Sequence, residues 1–169
     1  MDSKGETVIS GNRKTSPSRI ISRLLCALAV CLYACSVGDV YYSDFKHLEA
    51  GWSKDTPLCF ELPDSVEEAV SELDICIRHD NYYPYRNIWI IADFVKDRDV
   101  VESDTLNIVL ADKFGNWYGS GLGKLFQLRT VVRSGFRPGD YDSVNLWHYM
   151  RCDTVPGIYD VGLSLSDKK

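Results

Sequence analysis

Cys35 is the residue whose surroundings most clearly predict a covalent modification. It ends an apolar run over residues 24–35, and basic residues precede that run: Arg13, Lys14, Arg19 and Arg23. A basic segment, a short apolar segment and a small residue before the cleavage point are typical of a secretory signal. Residues 32–35, Leu-Tyr-Ala-Cys, match a bacterial lipobox, in which a peptidase cuts after the small residue and the following cysteine thiol carries a diacylglyceryl group.

The apolar run predicts a cleaved signal and a lipid anchor, not a membrane span, because a spanning helix needs about 20 apolar residues. Cleavage before Cys35 makes residues 1–34 a signal peptide and leaves an acylated cysteine at the new N-terminus. Several acyl chains, palmitate among them, hold a protein durably, since each buried CH₂ contributes about 0.8 kcal/mol. Tyr33 is bulkier than a lipobox usually has at that position. An ordinary cleaved signal with an unmodified cysteine is therefore the alternative.

The composition is that of one folded domain. The 169-residue chain is 45% hydrophobic and 12% aromatic, which is too apolar for a disordered segment. Without residues 1–34 the chain is still long enough for one sizeable core. We therefore divide the sequence into the signal peptide (1–34), the lipidated cysteine with a tether and a first aromatic stretch (35–52), and a β-domain (53–169).

The charge balance argues against nucleic acid as a partner. The net charge is −5, and five of the 19 Lys and Arg, but only two of the 24 Asp and Glu, precede residue 35. The mature domain is therefore more acidic than the whole chain. Nucleic-acid affinity depends on neutralising phosphates with basic side chains, so we expect no nucleic-acid binding.

The pattern of apolar residues predicts strands and no helix after the signal. Residues 58–62, 73–78, 105–110 and 158–166 alternate apolar and polar side chains, as half-buried strands do. Residues 87–96 are apolar in both phases, which predicts a central strand covered on both faces. A charged turn is expected over 97–104 and a glycine-rich loop over 112–123. Short strands at this spacing predict an all-β fold, an antiparallel two-sheet β-sandwich of immunoglobulin-like or jelly-roll-like type.

Export places the remaining thiols in an oxidising compartment. Apart from Cys35, the predicted mature chain contains Cys59, Cys76 and Cys152. Cys59 and Cys76 each lie opposite the apolar phase of a predicted strand, so a Cys59–Cys76 disulfide can form if those two strands pair. The alternative is three free thiols.

Other patterns that carry chemistry are absent. The three histidines have no second ligand at metal spacing, and the sequence contains no Gly-x-Ser-x-Gly nucleophile motif. The glycine string at 119–124 lacks the Lys-Ser/Thr pair of a phosphate-binding loop. The acidic clusters fit solvated turns. We therefore predict no enzyme activity, no catalytic residues, no metal, no cofactor and no small-molecule substrate.

Aromatic residues in predicted turns are the remaining candidates for function. Tyr83 and Tyr85 flank Pro84, and Trp117 and Tyr118 lie in the glycine-rich loop. Aromatic side chains at such positions can anchor a protein–protein interface. They can equally fold back as lids over the ends of the sandwich core, and the sequence leaves both interpretations open.

Several of these segments occur in an order that resembles a known family. After the lipobox come Asn-Tyr-Tyr-Pro-Tyr at 81–85, Leu-Ala-Asp-Lys-Phe-Gly-Asn-Trp-Tyr-Gly at 110–119, Arg-Pro-Gly-Asp-Tyr at 137–141 and Gly-Ile-Tyr-Asp-Val-Gly-Leu at 157–163. The set is similar to the gliding motility-associated GldH lipoproteins of Bacteroidetes. The resemblance implies a non-enzymatic lipoprotein of the gliding and type 9 secretion machinery that contacts other envelope proteins. Lipidation is the one family property that the resemblance assigns to a particular residue of this chain, Cys35.

These observations predict an envelope lipoprotein on the periplasmic face of the outer membrane. Ser36 does not resemble an inner-membrane retention signal, and residues 36–39 lack the acidic run expected of surface-exported lipoproteins. The rival hypothesis is a carbohydrate- or ligand-binding β-sandwich lipoprotein that uses Trp117, Tyr118 and nearby carboxylates. A concave pocket with aromatic platforms favours the rival, and a flat apolar patch favours the assembly protein.

Overall fold

The computed structural model describes residues 40–64 and 70–167, and within these ranges the chain forms eleven β-strands and no α-helix. The predicted signal peptide and Cys35 lie outside the described residues. No helix in the described ranges is long and apolar enough to cross a membrane. The strands, in chain order, are β1 Val40–His47, β2 Trp52–Ser53, β3 Leu58–Glu61, β4 Ser71–Asp80, β5 Asn87–Lys96, β6 Asp99–Val109, β7 Ser120–Leu122, β8 Leu125–Phe136, β9 Ser143–His148, β10 Thr154–Val155 and β11 Ile158–Asp167.

Two antiparallel sheets form the sandwich. The first sheet has the strand order β1-β11-β4-β8-β7 and the second has the order β3-β9-β5-β6, while β2 and β10 form a separate pair. The predicted all-β sandwich is therefore confirmed. Because the sheets mix strands from distant parts of the chain, every central strand has at least one neighbour that is remote in sequence.

The core lies between the two sheets and follows the predicted period of two. On β4 the buried side chains Leu73, Ile75 and Ile77 face the second sheet's Ile90 and Phe94 on β5, all in one apolar cluster. Alternate side chains of a strand point to opposite faces. This alternation explains why the apolar phases of β3, β4 and β11 could be read directly from the sequence.

The domain begins earlier than predicted. Residues 35–52 were expected to form a tether and a first aromatic stretch, but β1 starts at Val40 and pairs along its whole length with β11. Tyr42 packs against the core, and Trp52 of β2 is fully buried in it. In the described chain, β1 and Trp52 therefore belong to the same folded unit as the residues after 53, because these aromatic side chains complete the core.

The strand predicted to be covered on both faces is covered on one. β5 is central, between β9 and β6, and its phase of Ile88, Ile90, Ala92 and Phe94 is buried. The other phase is only partly buried, and Trp89 is 40% exposed. A two-layer sandwich covers only the inner face of each sheet, so the outer phase is covered only by neighbouring side chains of its own sheet.

The charged turn after β5 is shorter than predicted. Only Asp97 and Arg98 form it, with φ angles of 51° and 74°, and β6 already begins at Asp99. Positive φ at both central residues is the requirement of a two-residue hairpin turn of type I′. Glycine usually signals such a turn, and its absence here explains why residues 99–104 were assigned to the turn.

The predicted Cys59–Cys76 disulfide is not formed in the structure described here. The strands that carry these residues do not pair, because β3 belongs to the second sheet and β4 to the first. Cys59 is exposed, Cys76 is buried, and both thiols are free, as is that of Cys152. Burial raises the pKa of the Cys76 thiol, which keeps it protonated.

Candidate functional site: an aromatic end and an adjoining groove

The predicted aromatic turns meet at one end of the sandwich. This aromatic end consists of the turn 81–86 between β4 and β5 and the loop 111–119 between β6 and β7. The indole Nε1 of Trp117 donates a hydrogen bond to Oδ1 of Asn81 at 2.9 Å, which joins the two loops. Asp80 holds the turn by accepting from the Tyr82 amide through Oδ1 at 2.8 Å. Long-range pairing has thus brought together segments about 30 residues apart.

Two of the predicted interaction residues are lids over the core. Tyr83 is 2% exposed, and its hydroxyl donates to the carbonyl of Asn87 at 2.7 Å. Burial raises the pKa of Tyr83 well above that of a free phenol. Trp117 is half-buried, with its ring centroid 4.5 Å from that of His79. These two side chains close the end of the sandwich and present little surface to a partner.

The other aromatic side chains of this end face solvent. Tyr82 is 78% exposed, and Tyr85 and Tyr118 are also exposed, as is Pro84. Tyr85 packs edge-on against Tyr83, with the ring centroids 5.7 Å apart, so the buried Tyr83 ring supports the Tyr85 ring. Each of the two interpretations of the aromatic turns therefore applies to some of these residues: some are buried lids, and the others are exposed and free to contact a partner.

The loop after β6 is built on Asp112. Its Oδ1 accepts the amides of Phe114 and Asn116 at 2.8 and 2.9 Å, and its Oδ2 accepts the Asn116 side chain at 2.8 Å. The Asn116 side chain and these amides lower the pKa of Asp112. In this Asx-type turn both carboxylate oxygens of Asp112 accept hydrogen bonds from the loop itself. Across the described ranges, no three His, Cys, Asp or Glu side chains converge as metal ligands would.

A groove of about 680 Å³ lies beside the aromatic end, on the outer face of the second sheet. Trp89 of β5 and Tyr149, just after β9, form its aromatic wall, and the Tyr149 amide donates to the Trp89 carbonyl at 2.7 Å. The amide of Trp89 in turn lies 3.4 Å from Sδ of Met150. The full lining is Lys54, Tyr85, Asn87, Trp89, Thr105, Tyr149, Met150 and Arg151.

Of the predicted interaction residues, only Tyr85 lines this groove. Sequence reasoning missed Trp89, because the second apolar phase of β5 was assigned to a covered face. It also missed Tyr149 and Arg151, which no local pattern marks. The one signal in the sequence that could have identified Trp89 was the second apolar phase of β5, because in a two-layer sandwich one phase of each strand must face outward.

The groove is positively charged in an acidic chain. Lys54 and Arg151 line it, and Arg86 lines a smaller hollow that shares Tyr85 and Asn87 with it. No Asp or Glu lines either hollow. The salt bridges among the described residues involve none of these three cations. Their charges are therefore available to an anionic ligand.

His79 makes the aromatic end sensitive to acid. The imidazole is fully buried under Tyr83 and Trp117, and burial lowers its pKa below the ordinary 6.5. Between the lowered folded value and 6.5 the unfolded state binds more protons, so stability is complete above pH 6.5 and is lost as the pH falls. One histidine contributes a slope of at most about 1.4 kcal/mol per pH unit.

We expect His79→Phe to flatten this dependence. Urea unfolding of both proteins between pH 7.5 and 5.5 measures it, since phenylalanine keeps a ring at the site but cannot titrate. His148 is also buried, and burial lowers its pKa too, so part of the slope will remain in the variant. Parallel curves for the two proteins would show that His79 does not contribute.

The described domain coincides with a known family. The GldH lipoprotein family model matches residues 40–165, from the start of β1 almost to the end of β11. The gliding motility lipoprotein GldH of Flavobacterium johnsoniae is 23% identical over 154 residues, which cover 87% of this chain and 96% of that protein. A gliding motility lipoprotein GldH homolog of Christiangramia forsetii is 33% identical over 134 residues, covering 73% of this chain and 82% of that protein. The chain belongs to the GldH lipoprotein family.

Proposed function

We propose that this protein is a non-enzymatic lipoprotein of the gliding motility and type 9 secretion machinery, which acts by contact with other envelope proteins. The observation that carries the proposal is the family match over residues 40–165, together with a relative named for gliding motility that is aligned over 96% of its length. The exposed aromatic residues beside a positively charged groove support a role in contact, since such residues are common in protein interfaces.

The proposed anchor is a lipid on Cys35, on the periplasmic face of the outer membrane. Only four residues separate Cys35 from the start of β1, so the tether is short. A short tether keeps the domain beside the membrane, where it can meet other membrane-anchored components. The signal peptide over residues 1–34 delivers the chain to the envelope.

A second candidate function is ligand binding, and the groove is the observation that favours it. Trp89 and Tyr149 are exposed aromatic platforms in a concave site, the arrangement expected of a small-ligand pocket. Such a site would differ from the one predicted from sequence, because Trp117 is folded onto the core. No carboxylate lines the groove, although the predicted carbohydrate site relied on nearby carboxylates.

Replacement of Cys35 tests the anchor. We expect the wild-type protein in its native host to fractionate with membranes and to have the mass of a chain starting at residue 35 plus its acyl groups. Cys35→Ala should be unacylated and leave the membrane fraction. Cys59→Ala, which removes an exposed thiol within the domain, is the matched control and should behave as wild type. A wild-type protein that is soluble and of unmodified mass would contradict the proposal.

Deletion of the gene tests the cellular role. We expect loss of spreading on agar, or of type 9 secretion in a host that does not glide, with rescue by the wild type and not by Cys35→Ala. Normal spreading and secretion in the deletion strain would overturn the proposed function.

A further inference from the structure

The two outer faces of the sandwich have different chemistry. On the outer face of the first sheet, several polar side chains pair with one another: Asp74 accepts from Arg129 at 2.5 Å and from Ser166 at 3.1 Å. Asp160 of β11 lies 2.8 Å from an Arg78 nitrogen. These bonds satisfy that face within the chain. Sheets with one solvated face usually carry polar side chains there. The first sheet follows this rule in part, since Phe45 and Val131 on the same face are 42% and 45% exposed.

The second sheet departs from the rule along β5. The outward phase of β5 includes Trp89, Ile91 and Val95, with Trp147 opposite Ile91 on β9. Trp89 is 40% exposed, and Tyr149 beside it is 61% exposed. Asp93 interrupts this phase between Ile91 and Val95 and accepts from Nε1 of Trp147 at 2.9 Å, so the exposed apolar surface is concentrated at Trp89 and Tyr149. Exposed apolar surface of this kind is typical of interaction sites.

The groove residues have the composition of a protein interface. Tyr, Trp, Met and Arg are enriched at the centre of such interfaces, and Asp and Glu are depleted. Trp89, Tyr149, Met150 and Arg151 fit this description, and no acidic residue lines the groove. The backbone bond from the Tyr149 amide, just after β9, to the Trp89 carbonyl of β5 keeps the two residues side by side.

The charges identify the kind of occupant. Lys54 and Arg151 in the groove and Arg86 in the adjoining hollow have no carboxylate among the linings, whereas the chain as a whole has a net charge of −5. This local excess of positive charge complements an anion, and the apolar wall between the cations complements a large apolar side chain.

We propose that the groove binds an acidic polypeptide segment of a partner protein. A large apolar side chain of the segment packs on Trp89 and Tyr149, and its flanking carboxylates pair with Lys54, Arg86 and Arg151. The inference rests on the proposed function, contact with envelope proteins, and names the class of partner. The volume of about 680 Å³ lies within the range of sites that enclose a ligand, about 300–1,000 Å³.

A polypeptide fits the groove better than a sugar. Sugar hydroxyls need several free donors and acceptors. Besides the hydroxyls of Tyr85 and Tyr149, the neutral polar side chains of the lining are Asn87 and Thr105, and one amide hydrogen of Asn87 is engaged with Oδ1 of Asn107 at 2.6 Å. The cations can bind carboxylates of either class of ligand, so an acidic glycan is the competing outcome that the experiment must separate.

The experiment measures binding of defined probes to the native lipoprotein in detergent, by fluorescence anisotropy. The main probe is a fluorescein-labelled nonapeptide of glutamates with a central phenylalanine. The comparison probes replace that phenylalanine with alanine, replace the glutamates with lysines, or use labelled oligogalacturonate as the acidic glycan. We expect the acidic phenylalanine peptide to bind at least about tenfold more tightly than each comparison probe. We also expect its affinity to fall as salt is raised from 50 to 300 mM.

Four variants connect binding to the groove. Trp89→Ala and Arg151→Glu should each weaken the peptide about tenfold. Both positions are exposed, and an unchanged far-ultraviolet circular dichroism spectrum and an unchanged urea unfolding midpoint will establish that each variant is folded. Arg98→Glu in the β5–β6 turn and Phe114→Ala in the loop after β6 change an exposed cation and an exposed ring outside the lining. These matched controls should keep the wild-type affinity within twofold.

Three outcomes would overturn the inference: no binding of the acidic peptide, equal affinity in all four variants, or preference for the oligogalacturonate. Self-association of the protein that Trp89→Ala abolishes would also overturn it, since the occupant would then be a second copy. None of these outcomes bears on the anchor at Cys35 or on the phenotype of the deletion strain. The inference and the proposed function therefore fail separately.

Discussion

Gly157→Ala is expected to lower the free energy of unfolding by about 3 kcal/mol and to disrupt the aromatic end. Gly157 has a φ of +74°, and a Cβ there would lie 2.5 Å from the backbone nitrogen of Tyr83 and 2.9 Å from Oδ1 of Asp80. The left-handed conformation costs about 1–2 kcal/mol with a side chain, and overpacking adds about 1–3 kcal/mol. The Gly157 carbonyl also accepts the Asp80 amide at 3.0 Å, so the clash moves the start of the turn.

Gly115→Ala is the matched control for this prediction. Gly115 has a φ of +89°, but a Cβ there meets no atom within 4 Å, so only the conformational cost of about 1–2 kcal/mol applies. Urea unfolding of both variants gives the two losses of free energy of unfolding. Equal losses would show that close packing of Gly157 against the turn does not contribute.

Arg129→Met is expected to lower the free energy of unfolding by about 3 kcal/mol. The guanidinium lies 2.5 Å from the carboxylate of Asp74, whose side chain is 4% exposed. Removing the arginine leaves that carboxylate buried with a single hydrogen bond, from Ser166. Breaking a buried pair on one side costs about 3–5 kcal/mol. The lower end applies because Arg129 is 32% exposed, and water screens part of the interaction.

The double variant Asp74→Leu with Arg129→Met separates burial of charge from packing. We expect it to recover most of the lost stability, because an apolar pair of similar volume often replaces a buried ion pair without cost. Urea unfolding of the two single variants and the double variant completes a double-mutant cycle. If the double variant is less stable than Arg129→Met alone, the Asp74 carboxylate stabilises the fold through contacts other than its bond to Arg129.

The positions of most strands could be predicted from the sequence because burial leaves a local trace. Side chains of β3 and β11 alternate between core and outer face, so residues 58–62 and 158–166 showed the period of two before any partner was known. The aromatic turn at 81–85 was also visible, because Pro84 and its tyrosines mark a turn by composition. Which of those tyrosines are lids depends on distant packing, and the sequence left that open.

Strand pairing decided what local patterns could not. Cys59 and Cys76 lie in strands of the same appearance, and only the assignment of β3 and β4 to different sheets keeps their thiols apart. Similarly, residues 35–52 were expected to form a tether and a first aromatic stretch, because no local pattern shows that β1 has a partner strand. Its pairing with β11, more than 110 residues away, makes it part of the domain.

The family could be suggested from the sequence alone, because the order of several short motifs is local information. The groove could not be predicted from the sequence alone. Its wall joins Trp89 to Tyr149 only because β5 pairs with β9, and Lys54 and Arg151 reach it from the ends of other segments. Each of these residues is unremarkable in its own stretch of chain. Their joint property, an apolar wall bordered by unpaired cations, exists only after the second sheet has formed.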